Sequence, residues 1–276
     1  KKFMEDHKLV DVPINVLYKT GANGAIALEY VNQQEGSGET LFAIAHTFLT
    51  IKLTGESKQD WRDLTLLGIL FKEFHVTAVR ADSPLKSGKD LIERMRKDPA
   101  ALSYGFFGNR GNHLHLAAAI PLKAAGVDIR QMTTVPYRSG PEAMSAVLGG
   151  HLDVALVSAV NPAGHVQAGK MRVLTQTTAE RGAGYLKDVP TWRELGVNVE
   201  YATAQGFTGP RKMRPEAVRF WESVLGRMAK DPEWQKLLAR SLWAGAYMGS
   251  AEMGRYYESE YAKLKSVLEE LGLAKQ

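Results

Sequence analysis

The residues able to do chemistry fall in four short polar loops, each following an apolar run: residues 19–24 (KTGANG), 45–47 (AHT), 108–112 (GNRGN) and 137–140 (YRSG). The last is the most informative. Ser139 and Glu142 make an S-x-x-E capping box, with Gly140 at the first helical position and Pro141 behind it, so a helix is expected over 140–148. Gly149-Gly150 ends it. Free N–H groups and the positive dipole end of that helix, beside the Arg138 guanidinium, suit a carboxylate or a phosphate. The alternative is an ordinary capped helix whose arginine faces water.

Other constellations point away from familiar catalysis. His113-x-His115 sits at an expected helix start, where a two-residue step separates the side chains by about 200°. With no carboxylate close by, a ring bonded to a backbone carbonyl or facing a crevice fits better than a metal ligand. Ser139 is not within G-x-S-x-G, and neither a Ser–His–Asp order nor a carboxylate pair stands out, although triads are assembled in space. Gly21-x-x-Gly24 lacks the dinucleotide fingerprint, the strand TLFAIA is followed by no acid for a ribose, and the P-loop pattern is missing. No metal and no cofactor are expected. Tyr256, Tyr257 and Tyr261 read as core and helix surface, not as a stacking platform.

Such loops need strands behind them and helices ahead. Residues 1–9 read as the tail of a helix, 12–18 (VPINVLY) as an alternating strand, 25–33 as a helix, and 40–45 as a short strand ending at His46-Thr47. Strands are expected at 64–70 and 74–80, and Ser87 caps a helix to about residue 96. From 102 to 175 the chain alternates strand (102–106), helix (114–125), strand (131–135), helix (140–148), strand (152–157), helical turn (165–168) and strand (171–175). That is the pattern of a mostly parallel sheet covered on both faces. A short helix at 191–195, a strand at 201–208, helices from 214 and 231, and a long helix from about 250 follow. The last carries Met253, Tyr257, Glu260, Leu264, Val267, Leu268 and Leu271 at three- and four-residue steps, a stripe that docks on a core. In an open α/β sheet the four loops converge outside the carboxyl ends of the strands.

Composition bounds the class. The 276 residues are 45% hydrophobic and 24% charged, a globular balance with enough apolar residues for a sizeable core. No run approaches the roughly 18 apolar residues of a membrane span. The net charge of +5 comes from basic residues interleaved with acids, as in Glu93-Arg94-Met95-Arg96-Lys97-Asp98, which favours a small anionic ligand over nucleic acid. With no cysteine, thiolate metal sites, disulfides and a cysteine nucleophile are excluded.

Several motifs then fall in order. Val135-Pro136-Tyr137-Arg138, Ala143 and Leu148-Gly149-Gly150-His151-Leu152-Asp153 resemble the VPY[KR]…A…LLGGxxD pattern of the tripartite tricarboxylate transporter solute receptors, the Bug-type family. Ala168-Gly169-Lys170-Met171-Arg172-Val173-Leu174 is similar to that family's AGKLRxLA, and Val189-Pro190-Thr191-Trp192-Arg193-Glu194-Leu195-Gly196 to its DVPTxxELG. Gly206-Phe207, the Asp231-Pro232-Glu233 helix start and the final helix also fall in family order. The departures are specific. Asn112 replaces a small hydroxyl in G-[ST]-x-x-H-L, Ser139 a common Gly, and Ser158 an Asp that many members place after the strand; the last argues against an ammonium-bearing ligand.

The resemblance implies a type II periplasmic-binding-protein fold of class α/β, with one lobe over 1–81 and 203–276 and a second over 82–202, closing on a ligand crevice. It implies a periplasmic monomer that binds a small carboxylate for membrane permease subunits, with no catalysis and no nucleic acid. A ligand-presenting partner of a sensor kinase is the alternative, and an α/β hydrolase or transferase the reading from another class. The implied ligand set is Tyr137, Arg138, Ser139 and Gly140, facing Gly111, Asn112 and His113 and, from the first lobe, His46 and Thr47, with Ser158 and Gln205 completing it. The family's first strand and its Pro/Gly-rich loop fall before Lys1. The resemblance therefore implies weaker binding by these 276 residues than by a chain carrying that strand. Calorimetry on both checks this, with equal and tight binding as the contrary result.

Overall fold

A computed structural model describes residues 1–275. In chain order, α1 (Lys2–Asp6) leads to α2 (Ala25–Asn32), β1 (Phe42–Ile44) and the 17-residue strand β2 (Leu64–Arg80). Then α3 (Gly88–Lys97), β3 (Ser103–Phe107), α4 (His113–Ala124), β4 (Thr133–Tyr137), α5 (Gly140–Leu148), β5 (Val154–Ser158), α6 (Ala163–Gln167) and β6 (Met171–Gln176) alternate. Next come β7 (Ala202–Pro210), α7 (Pro215–Lys230), α8 (Pro232–Arg240), β8 (Ala244–Gly249) and α9 (Ser250–Glu270). The chain divides into two units: Lys1–Lys72 with Ala204–Lys265 and Lys275, and Glu73–Thr203 with Ser266–Ala274.

In the first unit β1 runs antiparallel to β7, β7 adjoins β2, and β8 is antiparallel to residues 68–72 of β2. Helices α7 and α8 supply Trp221, Val224, Leu225, Met228, Trp234 and Leu238 to one core cluster with Leu67 and Leu70. Each such side chain contributes about 1.5–3 kcal/mol when removed from water. Gly206 of β7 lies opposite Ile44 of β1. A Cβ there would collide with the Gly68 carbonyl oxygen and lie 2.7 Å from the Ile69 Cα, so only glycine allows β7 and β2 to approach this closely.

In the second unit residues 75–80 of β2 lie between β5 and β6, antiparallel to both, while β3 lies between β5 and β4, parallel to both. Leu91, Ile92 and Met95 of α3 and Leu114, Ala118, Ala119 and Leu122 of α4 cover one face over Tyr104, Phe106, Val154 and Leu156. Helix α3 starts on a reciprocal capping box: Ser87 Oγ accepts from Asp90 N, and the Asp90 carboxylate accepts from Ser87 N. Val267 and Leu271, late in the stripe of the last helix, pack against this core.

Three expectations are corrected, and one strand is added. Residues 12–18 join no ladder among the described residues and are largely exposed, with Val12, Val16, Leu17 and Tyr18 in water. Alternation alone does not make a strand without a neighbour to bond. The strands expected at 64–70 and 74–80 are the single strand β2, because the register shift between Ile69 and Phe71 absorbs the irregularity without ending the ladder. Residues 191–195 form turns after a bridge from Thr191 to Gln176 instead of a helix. Strand β8 is unannounced in sequence, since AGAYMG lacks the β-branched alternation of a strand and is held by its pairing with β2.

Gly206→Ala should destabilise the protein by about 1–3 kcal/mol through overpacking against the β2 backbone. Urea denaturation checks this; an unchanged midpoint would mean that β7 can move away at no cost.

Candidate functional site

Asn112 is the N-cap of α4 and is buried. Its Oδ1 accepts from Leu114 N and His115 N, both at 3.0 Å, and its Nδ2 donates to Phe107 O at 2.6 Å. The amide is thus committed to the helix start, and its role is to hold the loop in shape. Gly111, at φ +87°, donates its N–H to His115 Nδ1 at 3.0 Å. His115 stacks on Phe106 with ring centroids 5.2 Å apart. Burial, with Arg110 nearby, pushes the His115 imidazole down to about 4. His113 leaves the helix on another side, its ring 5.7 Å from that of His75.

The neighbouring loop leads from β4 into α5. Phe107 and Tyr137 are partners in the parallel β3–β4 ladder, and Gly108 N donates to Tyr137 O at 3.0 Å, which holds the two loops together. Ser139 caps α5, its Oγ accepting from Glu142 N at 3.3 Å. The Glu142 carboxylate reaches one residue further back than a capping box requires and accepts from Arg138 N at 3.0 Å. The Glu142 carboxylate therefore already occupies part of the positive end of α5, while the Arg138 side chain is exposed to water. A Cβ on Gly140 would come within 3.0 Å of Asn161 Nδ2, so the loop after β5 lies against the start of α5.

Ser158, the last residue of β5, carries a buried Oγ with no hydrogen-bond partner among the described residues. Its register partner on β2 is His75, which is fully buried and whose Nε2 lies 3.2 Å from Thr203 Oγ1. Neither His75 nor Asn161 is marked by the motifs. A histidine at an inward position of an apolar strand and the turn dipeptide Asn161-Pro162 were the available signals.

Of the eleven expected ligand residues, eight belong to the second unit: Gly111, Asn112, His113, Tyr137, Arg138, Ser139, Gly140 and Ser158. The contacts above bring them together at the ends of β3, β4 and β5. His46, Thr47 and Gln205 belong to the first unit. His46 is fully buried; burial, then Lys72 and Lys263, pushes its imidazole down to about 3. Its Nε2 lies 3.8 Å from Glu260 Oε2, and because the ring is neutral this contact is not an ion pair. Thr47 is also buried. Gln205 lies in the wall of an apolar cavity of about 380 Å3 with Phe71, Phe207, Met228 and Trp234. The second unit thus places two helix starts and the hydroxyls of Ser139 and Ser158 at the ends of β3, β4 and β5.

Solved structures share this fold. MatC from Rhodopseudomonas palustris with bound malate matches with a TM-score of 0.80 at 19% identity, over 96% of this chain and 90% of that one. The periplasmic binding protein BugD matches with a TM-score of 0.78 at 21% identity, over 93% and 86%. The class is that of two-lobed periplasmic binding proteins, α/β in architecture. Within it, the chain belongs to the tripartite tricarboxylate transporter family of receptors, whose model matches residues 6–273. The UPF0065 protein in the gbd 5'region of Cupriavidus necator is 29% identical over 272 residues, 97% of this chain and 80% of that protein.

The His115 shift predicts a pH dependence of stability. Its folded pKa of about 4 lies below the ordinary 6.5, so on acidification the unfolded chain takes up the proton first. The stability this supplies is fully present above pH 6.5 and lost as pH falls to about 4. It amounts to ~3 kcal/mol at neutral pH. His46 acts with the same sign down to about pH 3. Thermal melts from pH 7 to pH 4 should show a falling midpoint, with a smaller fall in His115→Gln; parallel curves would show that His115 is not a source of it.

Proposed function

We propose that this protein is a periplasmic receptor that captures a small carboxylate and delivers it to the membrane permease subunits of a tripartite tricarboxylate-type transporter. It acts as a monomer, without catalysis, cofactor or nucleic acid. The observation that carries this reading is the pair of helix starts α4 and α5, side by side after the parallel strands β3 and β4. Helix N-termini favour carboxylates, and the Arg138 guanidinium beside α5 adds a charge-assisted donor. Membership of a receptor family and the malate bound to MatC support the same ligand class. In this reading Tyr137, Arg138, Ser139 and Gly140 receive one carboxylate, His113 and Ser158 border it, and Gly111 and Asn112 shape the loop. His46, Thr47 and Gln205 are the contribution proposed for the first unit.

A thermal-shift screen followed by native mass spectrometry tests it, with C4–C6 dicarboxylates, citrate, aromatic carboxylates and amino acids as ligands. The expected result is saturable one-to-one binding of a carboxylate without turnover. Ser139→Pro should weaken that binding at least tenfold, because proline cannot adopt the extended φ of −153° found at this cap. Unchanged affinity in a folded Ser139→Pro variant would move the ligand elsewhere, and binding of amino acids alone would reject the carboxylate class.

A further inference from the structure

The strand ends that carry Ser158 also carry His75, to which no motif assigns a role. Ala159 N donates to Phe74 O at 3.0 Å. His75 and Ser158, opposite one another in antiparallel register, are therefore a non-hydrogen-bonded pair, the kind whose side chains approach most closely. The backbone of His75 is fixed from the other side, where its N–H donates to Thr177 Oγ1 and its carbonyl accepts from Thr177 N, both at 3.0 Å. Its ring is fully buried, with Nε2 at Thr203 Oγ1, and the rings of His113 and Tyr201 lie 5.7 and 6.0 Å away.

Beside this fixed ring the Ser158 hydroxyl is buried without a hydrogen-bond partner among the described residues. An unmatched buried hydroxyl is unfavourable, and a ligand atom that bonds to it removes the deficit on binding. The chemistry of that atom is constrained. Ser158 offers one donor and two acceptor positions, and Thr203 and Tyr201 are hydroxyl-bearing neighbours of His75. None of these groups brings a formal charge to offset a buried carboxylate or ammonium. A hydroxyl is neutral and both donates and accepts, so it fits.

We propose, resting on the carboxylate-receptor reading above, that His75 and Ser158 form a hydroxyl-reading subsite and that the preferred ligands are 2-hydroxy acids. The carboxylate is held at the helix starts, and the hydroxyl on the adjacent carbon bonds to Ser158 Oγ. His75 is a positioning residue that fixes the strand pair and closes the subsite. A deoxy analogue leaves the serine unmatched, which is how such a site discriminates.

Calorimetry with malate and succinate, four-carbon diacids that differ by this hydroxyl, tests the proposal. Malate should bind at least tenfold more tightly than succinate to the unsubstituted protein. Ser158→Ala and His75→Phe should bring that ratio within threefold, whereas Ser158→Thr, which retains the hydroxyl, should keep it. A thermal melt monitors folding of His75→Phe; if it does not fold, the two Ser158 variants decide. Equal binding of the two acids by the unsubstituted protein, or a ratio that survives Ser158→Ala, overturns the subsite and leaves the carboxylate receptor standing. Failure of malate, succinate and every other carboxylate in the screen to bind overturns the receptor reading itself, and the subsite with it.

Discussion

A strand 17 residues long must find hydrogen-bond partners along its whole length, and β2 meets this requirement by changing neighbours midway. Toward its start it pairs with β8 and adjoins β7; from His75 onward it pairs with β5 and β6. Each unit is thereby given a sheet in which a part of the same strand has a neighbour on either side. The glycine at 206 follows from this arrangement, since β7 can lie against β2 only where no Cβ intervenes. His75 falls at the first residue of β2 to pair with β5, which is why a histidine within an apolar strand comes to lie beside Ser158.

The second unit then solves a different problem, that of the free N–H groups at a helix start. At α4 the solution is internal. Asn112 Oδ1 accepts from Leu114 N and His115 N, and His115 Nδ1 accepts from Gly111 N, which fixes the loop that enters the helix. At α5 the solution is shared, because Ser139 and Glu142 each accept one backbone N–H while Arg138 extends into solvent. Two helix starts of unequal commitment thus follow the adjacent strands β3 and β4.

Neutrality also distinguishes the buried histidines. His46 and His115 have folded pKa values far below the ordinary imidazole value because burial disfavours the charged form, and nearby cations, Lys72 and Lys263 for His46 and Arg110 for His115, add to the effect. Neither is a fixed positive charge for a ligand near neutral pH. Their structural contribution instead links the fold to acidity.

The starts of α3 and α5 were legible in the sequence because caps are local: Ser87 and Ser139 each accept from the backbone N–H three positions ahead, whereas the cap made by Asn112 at α4 was not read from the sequence. The α/β alternation of the middle third and the stripe on α9 were legible for a similar reason, since periodicity reports which face is apolar. Family membership was carried by short motifs in order and was established by the match over residues 6–273. Pairing was not legible. That residues 12–18 join no ladder among the described residues, that 64–80 are one strand and that AGAYMG is a strand at all depend on which backbone lies alongside, a property of no single segment. The same holds for the site. The sequence pointed to Tyr137, Arg138, Ser139 and Gly140 because a helix start has a signature, whereas His75 and Asn161 are brought to it by register and loop packing between residues distant in the chain. Long-range hydrogen bonding decides such neighbours, and it leaves no trace in local composition.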